Sequence, residues 1–346
     1  MTELRSVPLS LLDLAPVSSS GDTTEALQHT IEIARHAEDL GFTRFWVAEH
    51  HGMPGIASSA PAVLIGAIAS ATSRIRVGSG GVMLPNHAPL VVAEQFGTLA
   101  ALYPARIDLG LGRAPGTDPR TMAALRRTTT MEGPNAFPEA LGELACFLAD
   151  EFPEGHPYQK VLSVPRATRR PPIWLLGSSL YSAELAGLLG LPFAFAHHFS
   201  SGNTVAAFQR YQESFRSGRA LDEPYSMVAV QTVCAETDEE AQRLALPAAL
   251  SFLRLRQGQP GPLPSVEEAA EYPWTPLERE FVRERWEGQA VGSPETVRDA
   301  LADLLEKTGA SELMLTTQLY DLDRRRESLT RVRQLFGDLP VGLQQV

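Results

Sequence analysis

Short apolar runs alternate with longer amphipathic segments from the start of the chain. Residues 9–14 are apolar; residues 23–40 then place Ile31, Ala34, Ala37 and Leu40 on one helical face and stop at Gly41. Residues 42–48 read as the next strand, and Ser58 or Ser59 is placed to cap a small-residue helix that carries Pro61 in its first turn and runs to Ala71. Strand-like runs at 75–80 and 107–111 flank a helix over 89–102. Each unit takes about 30 residues, the crossover length that parallel strands need. The rhythm weakens over 114–170, with helical pieces at 118–127 and 138–150. It resumes with strands at 173–176, 192–196 and 225–234, and helices up to residue 189 and over 204–216. Residues 247–289 read as irregular, with Pro260, Pro262, Pro264, Pro273 and Pro276 scattered through them. A helix over 294–307 capped by Ser293, a strand at 312–316 and a basic helix over 324–335 close the chain. Eight strands alternating with helices predict an α/β fold, a single (β/α)8 TIM barrel with insertions after strands 4 and 7, occupying residues 1–346 as one domain. A doubly wound open sheet is the structural alternative.

Composition narrows the function classes. The chain has 346 residues, 44% of them hydrophobic, and a formal net charge of −11. An acidic surface argues against nucleic acid and against anionic membranes, though a few local cations can still hold one phosphate. The two cysteines, Cys146 and Cys234, lie far apart and outside metal-ligand spacing, so a reducing cytoplasm is expected. The first residues lack the apolar core of a signal peptide, and no run is long enough for a transmembrane helix.

The chemistry gathers at predicted strand ends, where barrels of this kind place their active sites. Phe45-Trp46-Val47-Ala48-Glu49-His50-His51 ends a strand in one carboxylate and two imidazoles. A histidine there is suited to acid–base work near neutral pH; a polar capping loop is the plainer reading, and zinc lacks a third ligand at standard spacing. Gly78-Ser79-Gly80-Gly81 ends the third strand, where glycines make a tight turn or admit a flat ligand. Gly110, Gly112 and Arg113 end the fourth; as a dinucleotide fingerprint the pattern is weak, but it sets a cation at a glycine-rich strand end. After the fifth, Ser178, Ser179 and Ser182 open a helix, and such a start either caps itself or binds phosphate. His197 and His198 end the sixth.

Together these pieces resemble the bacterial luciferase-like flavin monooxygenase family over nearly the whole chain. The resemblance is carried by LSLLDLAPV, FWVAEHH, the long block IRVGSGGVMLPNHAPLVVAEQFGTLAALYPARIDLGLGRAPG, PIWLLGSSLYSAELAGLLGLPFAFAHHF and VGSPETV. It implies a flavin site at the barrel mouth. His50 falls on the family's catalytic histidine and Glu49 on its acidic companion. Gly80-Gly81 falls on a non-prolyl cis peptide that presses on the flavin ring. Arg113, Ser179 and Ser182 fall on phosphate-binding positions, with Ser178 and Gly112 beside them. It further implies reduced FMN as co-substrate, supplied by a separate NAD(P)H:flavin reductase, with O2 and a small organic substrate, and a homodimer. Coenzyme F420 with hydride transfer, or flavin binding without catalysis, are the alternatives. Gly112 stands where the light-emitting luciferases carry a reactive cysteine, and the loop after the fourth strand is rebuilt, so light emission is not expected.

Overall fold

A computed structural model describes residue 4 and residues 7–126, 136–218 and 220–337. Eight strands close into a parallel ring: β1 (Leu9–Asp13), β2 (Arg44–Val47), β3 (Arg76–Met83), β4 (Ile107–Gly112), β5 (Ile173–Gly177), β6 (Phe193–Phe195), β7 (Ser226–Cys234) and, past a further strand, β9 (Glu312–Thr316). β6 pairs with β7, β7 with β9, and β9 with β1, which completes the barrel. The further strand, β8 (Ala290–Gly292), pairs only with the end of β7 and lies outside the ring. The barrel, and not the open sheet, is the architecture.

Period-2 alternation sorts each strand into an outer and an inner face. Outward residues such as Leu11, Phe45, Val77, Leu109 and Phe193 pack beneath the surrounding helices. Inward, Leu12, Trp46, Trp174, Met227 and Met314 fill the barrel. Trp46 and Trp174 meet edge-to-face, centroids 5.2 Å apart, and both are fully buried. Each indole takes roughly 150–250 Å² from water, about 4–6 kcal/mol before entropy costs. Glycines make the room: a Cβ at Gly78 would lie 2.7 Å from Trp46 Nε1, and one at Gly80 2.7 Å from Leu12 Cδ1.

The helices follow the expected spacing on the first half: α1 (Thr23–Asp39), α2 (Pro61–Ala71) and α3 (Pro89–Leu102). Neither serine caps α2, whose N-cap is Ala60; Ser58 instead bonds back to the end of β2. In the insertion after β4, the helix expected over 118–127 is α4 (Pro119–Arg126), residue 127 lying outside the described residues, and α5 is Ala136–Ala149. Next come α6 (Leu180–Leu188) and α7 (Thr204–Ser214).

The insertion after β7 is not irregular. It forms α8 (Asp238–Arg256), α9 (Val266–Glu271) and α10 (Pro276–Trp286) before β8, α11 (Pro294–Thr308), β9 and α12 (Leu322–Gln334). The prolines mislead because Pro276 sits at the start of α10 behind a Thr275–Glu278 capping box, and Pro247 is accommodated inside α8. Thr237 caps α8, three acidic residues fill its first turn, and Arg254 and Arg256 its last. Leu250, Leu253, Ala269, Trp274 and Val282 give these helices a small core of their own, a cap beside the barrel. Among the described residues, no helix is long and apolar enough to cross a membrane.

Candidate functional site at the carboxyl-terminal mouth

β2 delivers Glu49, His50 and His51 to the mouth on a pinned loop. Ser58 Oγ donates to the Ala48 carbonyl at 2.5 Å, and the His50 N–H donates to the Ser58 carbonyl at 3.0 Å. Glu49 is fully buried. It accepts from His51 Nε2 at 2.8 Å, from His87 Nε2 at 2.9 and 3.0 Å, from the Met83 N–H at 3.1 Å and from Asn86 Nδ2 at 3.4 Å. Burial alone would raise its pKa; His87, His51 and the Met83 amide outweigh that and hold the carboxyl below its ordinary range. Glu49 is therefore an ionised hub that ties the ends of β2 and β3 together.

The expected direct pairing of Glu49 with His50 is not what the structure shows; the carboxylate's imidazole partners are His51 and His87. His50 Nδ1 faces the Gly116 carbonyl at 3.4 Å. A carbonyl only accepts, so the neutral ring carries its hydrogen on Nδ1 and keeps Nε2 as an acceptor. Burial depresses the pKa of His50, against the opposing pull of the Gly116 carbonyl and Glu49. The ring is thus neutral at pH 7.

The adjoining wall is made of glycine. The Gly80–Gly81 peptide is cis, as the family resemblance implies. A Cβ at Gly81 would lie 2.8 Å from the Gly110 carbonyl, and one at Gly110 2.1 Å from the Ser79 carbonyl. Backbone packing alone therefore requires glycine at both positions. At Gly112 a Cβ would meet only the flexible end of Met83, 2.8 Å away.

Two positive features converge next to that wall. Arg113, exposed after β4, lies over the Tyr181 ring in the first turn of α6, 4.3 Å from its centroid. The N-cap of α6 is Ser179, which makes no side-chain cap bond, so the first amides of the helix stay available. Gly177 lets Ser182 approach: a Cβ there would stand 2.4 Å from Ser182 Oγ. Ser178 and Ser179 are half-buried and Ser182 is buried. Among the described residues no carboxylate pairs with Arg113.

The two histidines after β6 divide their roles. His197 bonds Thr204 Oγ1 at 2.7 Å and the Gly288 carbonyl at 2.8 Å, so it staples the β6 loop to the approach of β8. His198 Nδ1 faces the Ala229 carbonyl at 3.2 Å and leaves Nε2 uncommitted. Burial drives its pKa down to about 4, and Arg285, His197 and His50 add to the fall. Gln231 Oε1 and Thr316 Oγ1, on inward positions of β7 and β9, are buried and find no hydrogen-bond partner among the described residues.

Beside His198 a cavity of about 210 Å³ opens between the cap and the β6 end, lined by Phe199, Phe252, Phe281, Arg256, Glu284 and Arg285 among others. None of these six was singled out from the sequence. The faint signal is Phe281 and Arg285 one helical turn apart in a segment read as irregular. His87 stands in the sequence only inside the long block that carries the family resemblance. Cys146 and Cys234 are free thiols, and among the described residues no three His, Cys, Asp or Glu side chains are grouped to hold a metal ion.

The chain is similar to known proteins over most of its length. The family model described as luciferase-like monooxygenase matches residues 7–312. A luciferase-like monooxygenase of Escherichia coli (strain K12) is 45% identical over 94% of this chain and 95% of its own length. The N-acetyl-S-alkylcysteine monooxygenase of Bacillus subtilis (strain 168) is 36% identical over 96% of this chain and 98% of its own. The oxygenating constituent of 3,6-diketocamphane monooxygenase from Pseudomonas putida, solved with FMN, shares the fold at a TM-score of 0.71 and 21% identity, over 95% of this chain and 97% of that one. With its closed barrel, its cis glycine peptide and this match over most of its length, the chain belongs to the luciferase-like monooxygenase family.

Proposed function

We propose that this protein oxygenates a small organic substrate with reduced FMN and O2, the reduced flavin coming from a separate NAD(P)H-dependent reductase. The observation that carries the reading is the meeting of Arg113 with the uncapped start of α6 at a glycine-walled mouth. A guanidinium and free helix amides at one spot, without an acid between them, form a phosphate cradle. Arg113, Ser178, Ser179 and Ser182 would hold the phosphate. Gly80, Gly81 and Gly112 would let the flavin ring lie against the backbone, and Gln231 Oε1 and Thr316 Oγ1 offer it unspent polar contacts. The relatives at 45% and 36% identity are monooxygenases, which supports the same reaction class.

When bound, reduced FMN supplies two electrons to O2. The chain's own residues do the rest. His50 enters the reaction neutral, so its first act is to accept a proton at Nε2, and it returns that proton as the imidazolium. Glu49 is a positioning residue: its bonds to His51, His87 and Met83 fix the strand ends on either side of His50. The barrel mouth and the cap exclude water from the reacting atoms. Two copies pairing through α2 and α3 is part of the reading, supported by the exposed Val63, Val91 and Leu102 on those helices; light scattering measures it directly.

Oxygen uptake with photoreduced FMN, compared with photoreduced F420, tests the chemistry. The expected result is FMN-dependent oxygen consumption with transfer of one oxygen atom to an added acceptor. Turnover with F420 alone would redirect the reading to hydride transfer, and tight flavin binding without transfer would reduce the protein to a flavin carrier.

A further inference from the structure

We infer that the cavity between the helical cap and the β6 end selects an organic acid, Arg285 taking its carboxylate and Phe252 and Phe281 its apolar body. This rests on the oxygenase reading and names the class of substrate it acts on. Arg285 lies on α10 with its guanidinium 3.7 Å from the centroid of Phe252. Phe281 stacks on Phe252 at 6.0 Å and 8°, and Phe199 meets it edge-on at 6.1 Å. The result is an aromatic floor with one cation fixed across it. Among the described residues no acid pairs with Arg285, whereas its neighbour Arg283 on the same helix engages both Glu280 and Glu287. Burial lowers the pKa of Arg285 to about 10, which still leaves it charged at neutral pH.

A half-buried cation without a counterion is costly, and stacking on one ring offsets only part of that cost. The remaining charges around the cavity do not neutralise it. Arg256 and Glu284 sit exposed at the rim and cancel, while His197 and His198 are held neutral by burial. The cavity therefore carries one net positive charge over an apolar floor, in a chain whose overall charge is −11. A planar carboxylate matches a guanidinium in two parallel hydrogen bonds. The volume, about 210 Å³, admits a small acid. His198 lines this cavity and follows the carboxyl end of β6, which sets the cavity at the mouth of the barrel. The flavin phosphate is the other anion at hand, but its cradle is built elsewhere, at Arg113 and α6.

Calorimetric titration of flavin-free protein with 4-phenylbutyrate and with its uncharged counterpart 4-phenyl-1-butanol tests the inference. Wild type is expected to prefer the acid by tenfold or more. Arg285→Gln is expected to lose that preference through a tenfold or greater loss for the acid alone, and Arg285→Lys to keep part of it. A wild type without preference, including one that binds neither probe, overturns the inference. So does an Arg285→Gln protein that melts like wild type and still prefers the acid. If that variant does not fold, the wild-type preference and the Lys variant decide. FMN and riboflavin titrations on the same proteins separate the two readings. Arg285→Gln that weakens FMN but not riboflavin would assign Arg285 to the flavin phosphate and overturn the inference. Wild-type protein that prefers the acid but binds no FMN would sink the oxygenase reading instead.

Discussion

At the amino-terminal ends of the strands, Arg44, Arg76, Asp108 and Glu312 form a closed network; at the opposite ends, Arg113, Arg285, His50 and His198 keep charge or lone pairs unspent. Arg44 donates to both oxygens of Glu312, at 2.8 and 3.0 Å, and to Asp108 at 3.0 Å. Arg76 and Trp46 Nε1 also donate to Asp108, and Tyr225 and Ser10 to Glu312. Two cations meet two anions, all buried but the half-buried Arg76, and each carboxylate oxygen has a donor. Burial would disfavour both Arg44 and Asp108 as ions, yet the opposite charges more than restore them. The two ends share one backbone and one strand spacing. They differ in whether the donors and acceptors are exhausted, and the end with a surplus is the end with chemistry to do.

Breaking the closed end is expected to give the largest effect, and it is an effect on stability. Arg44→Met leaves Glu312 and Asp108 buried short of a partner, which costs about 3–5 kcal/mol. The urea midpoint should fall accordingly, while FMN affinity per folded molecule holds. A variant as stable as wild type would show that the network contributes nothing the packing does not.

Breaking the open end should instead cost function. His50→Ala is expected to slow turnover by ~100-fold or more, the usual worth of general acid–base assistance. FMN affinity should fall only modestly and the melting temperature hold. Normal turnover with a lowered melting temperature would make His50 a loop cap and pass the proton to His198. Arg113→Ala should weaken FMN by about 2–3 kcal/mol, the worth of charge-assisted hydrogen bonds, and leave riboflavin unaffected. Equal losses for both flavins would place the phosphate elsewhere.

The same contrast explains what the sequence made legible. Strand ends that stop abruptly in Glu49-His50-His51, or in glycine followed by Arg113, announce themselves because the hydrophobic period breaks there. The ring of eight strands follows from the same period. Partners distant in sequence are silent: nothing at Glu49 says that its bonds go to His51 and His87 and not to His50. Ser58 reads as a helix cap, yet its hydroxyl serves the β2 loop. The cavity was least legible, because its residues come from α8, α10 and the β6 loop, and Pro247 and Pro276 hide two of those elements. Helix-breaking residues weigh heavily in a window of sequence and lightly once capping and tertiary packing are satisfied.

The smallest expected effect is a pH dependence that separates the two ends. Below pH 6.5 an unfolded histidine takes up a proton, while folded His198 resists until about pH 4. Through that window the unfolded chain binds more protons than the folded one, so stability is full above 6.5 and drains as the pH falls. His50 and His197 are depressed in the same direction and add to the slope. The carboxylates Asp108 and Glu49, also depressed, contribute only lower down, beginning below their ordinary ranges of 3.8 and 4.5. Loss of stability between pH 6.5 and 5 therefore belongs to the open end alone. His198 accounts for up to about 1.5 kcal/mol of it, less where solvent reaches the ring. His198→Asn retains an N–H donor for the Ala229 carbonyl but cannot titrate. Urea unfolding of this variant should show a shallower pH slope between about pH 6.5 and 4, and a slope that rejoins that of wild type about a pH unit below the folded pKa of about 4. An identical slope in variant and wild type would mean that His198 takes up its proton over the same pH range folded and unfolded, and hence that burial does not hold it neutral.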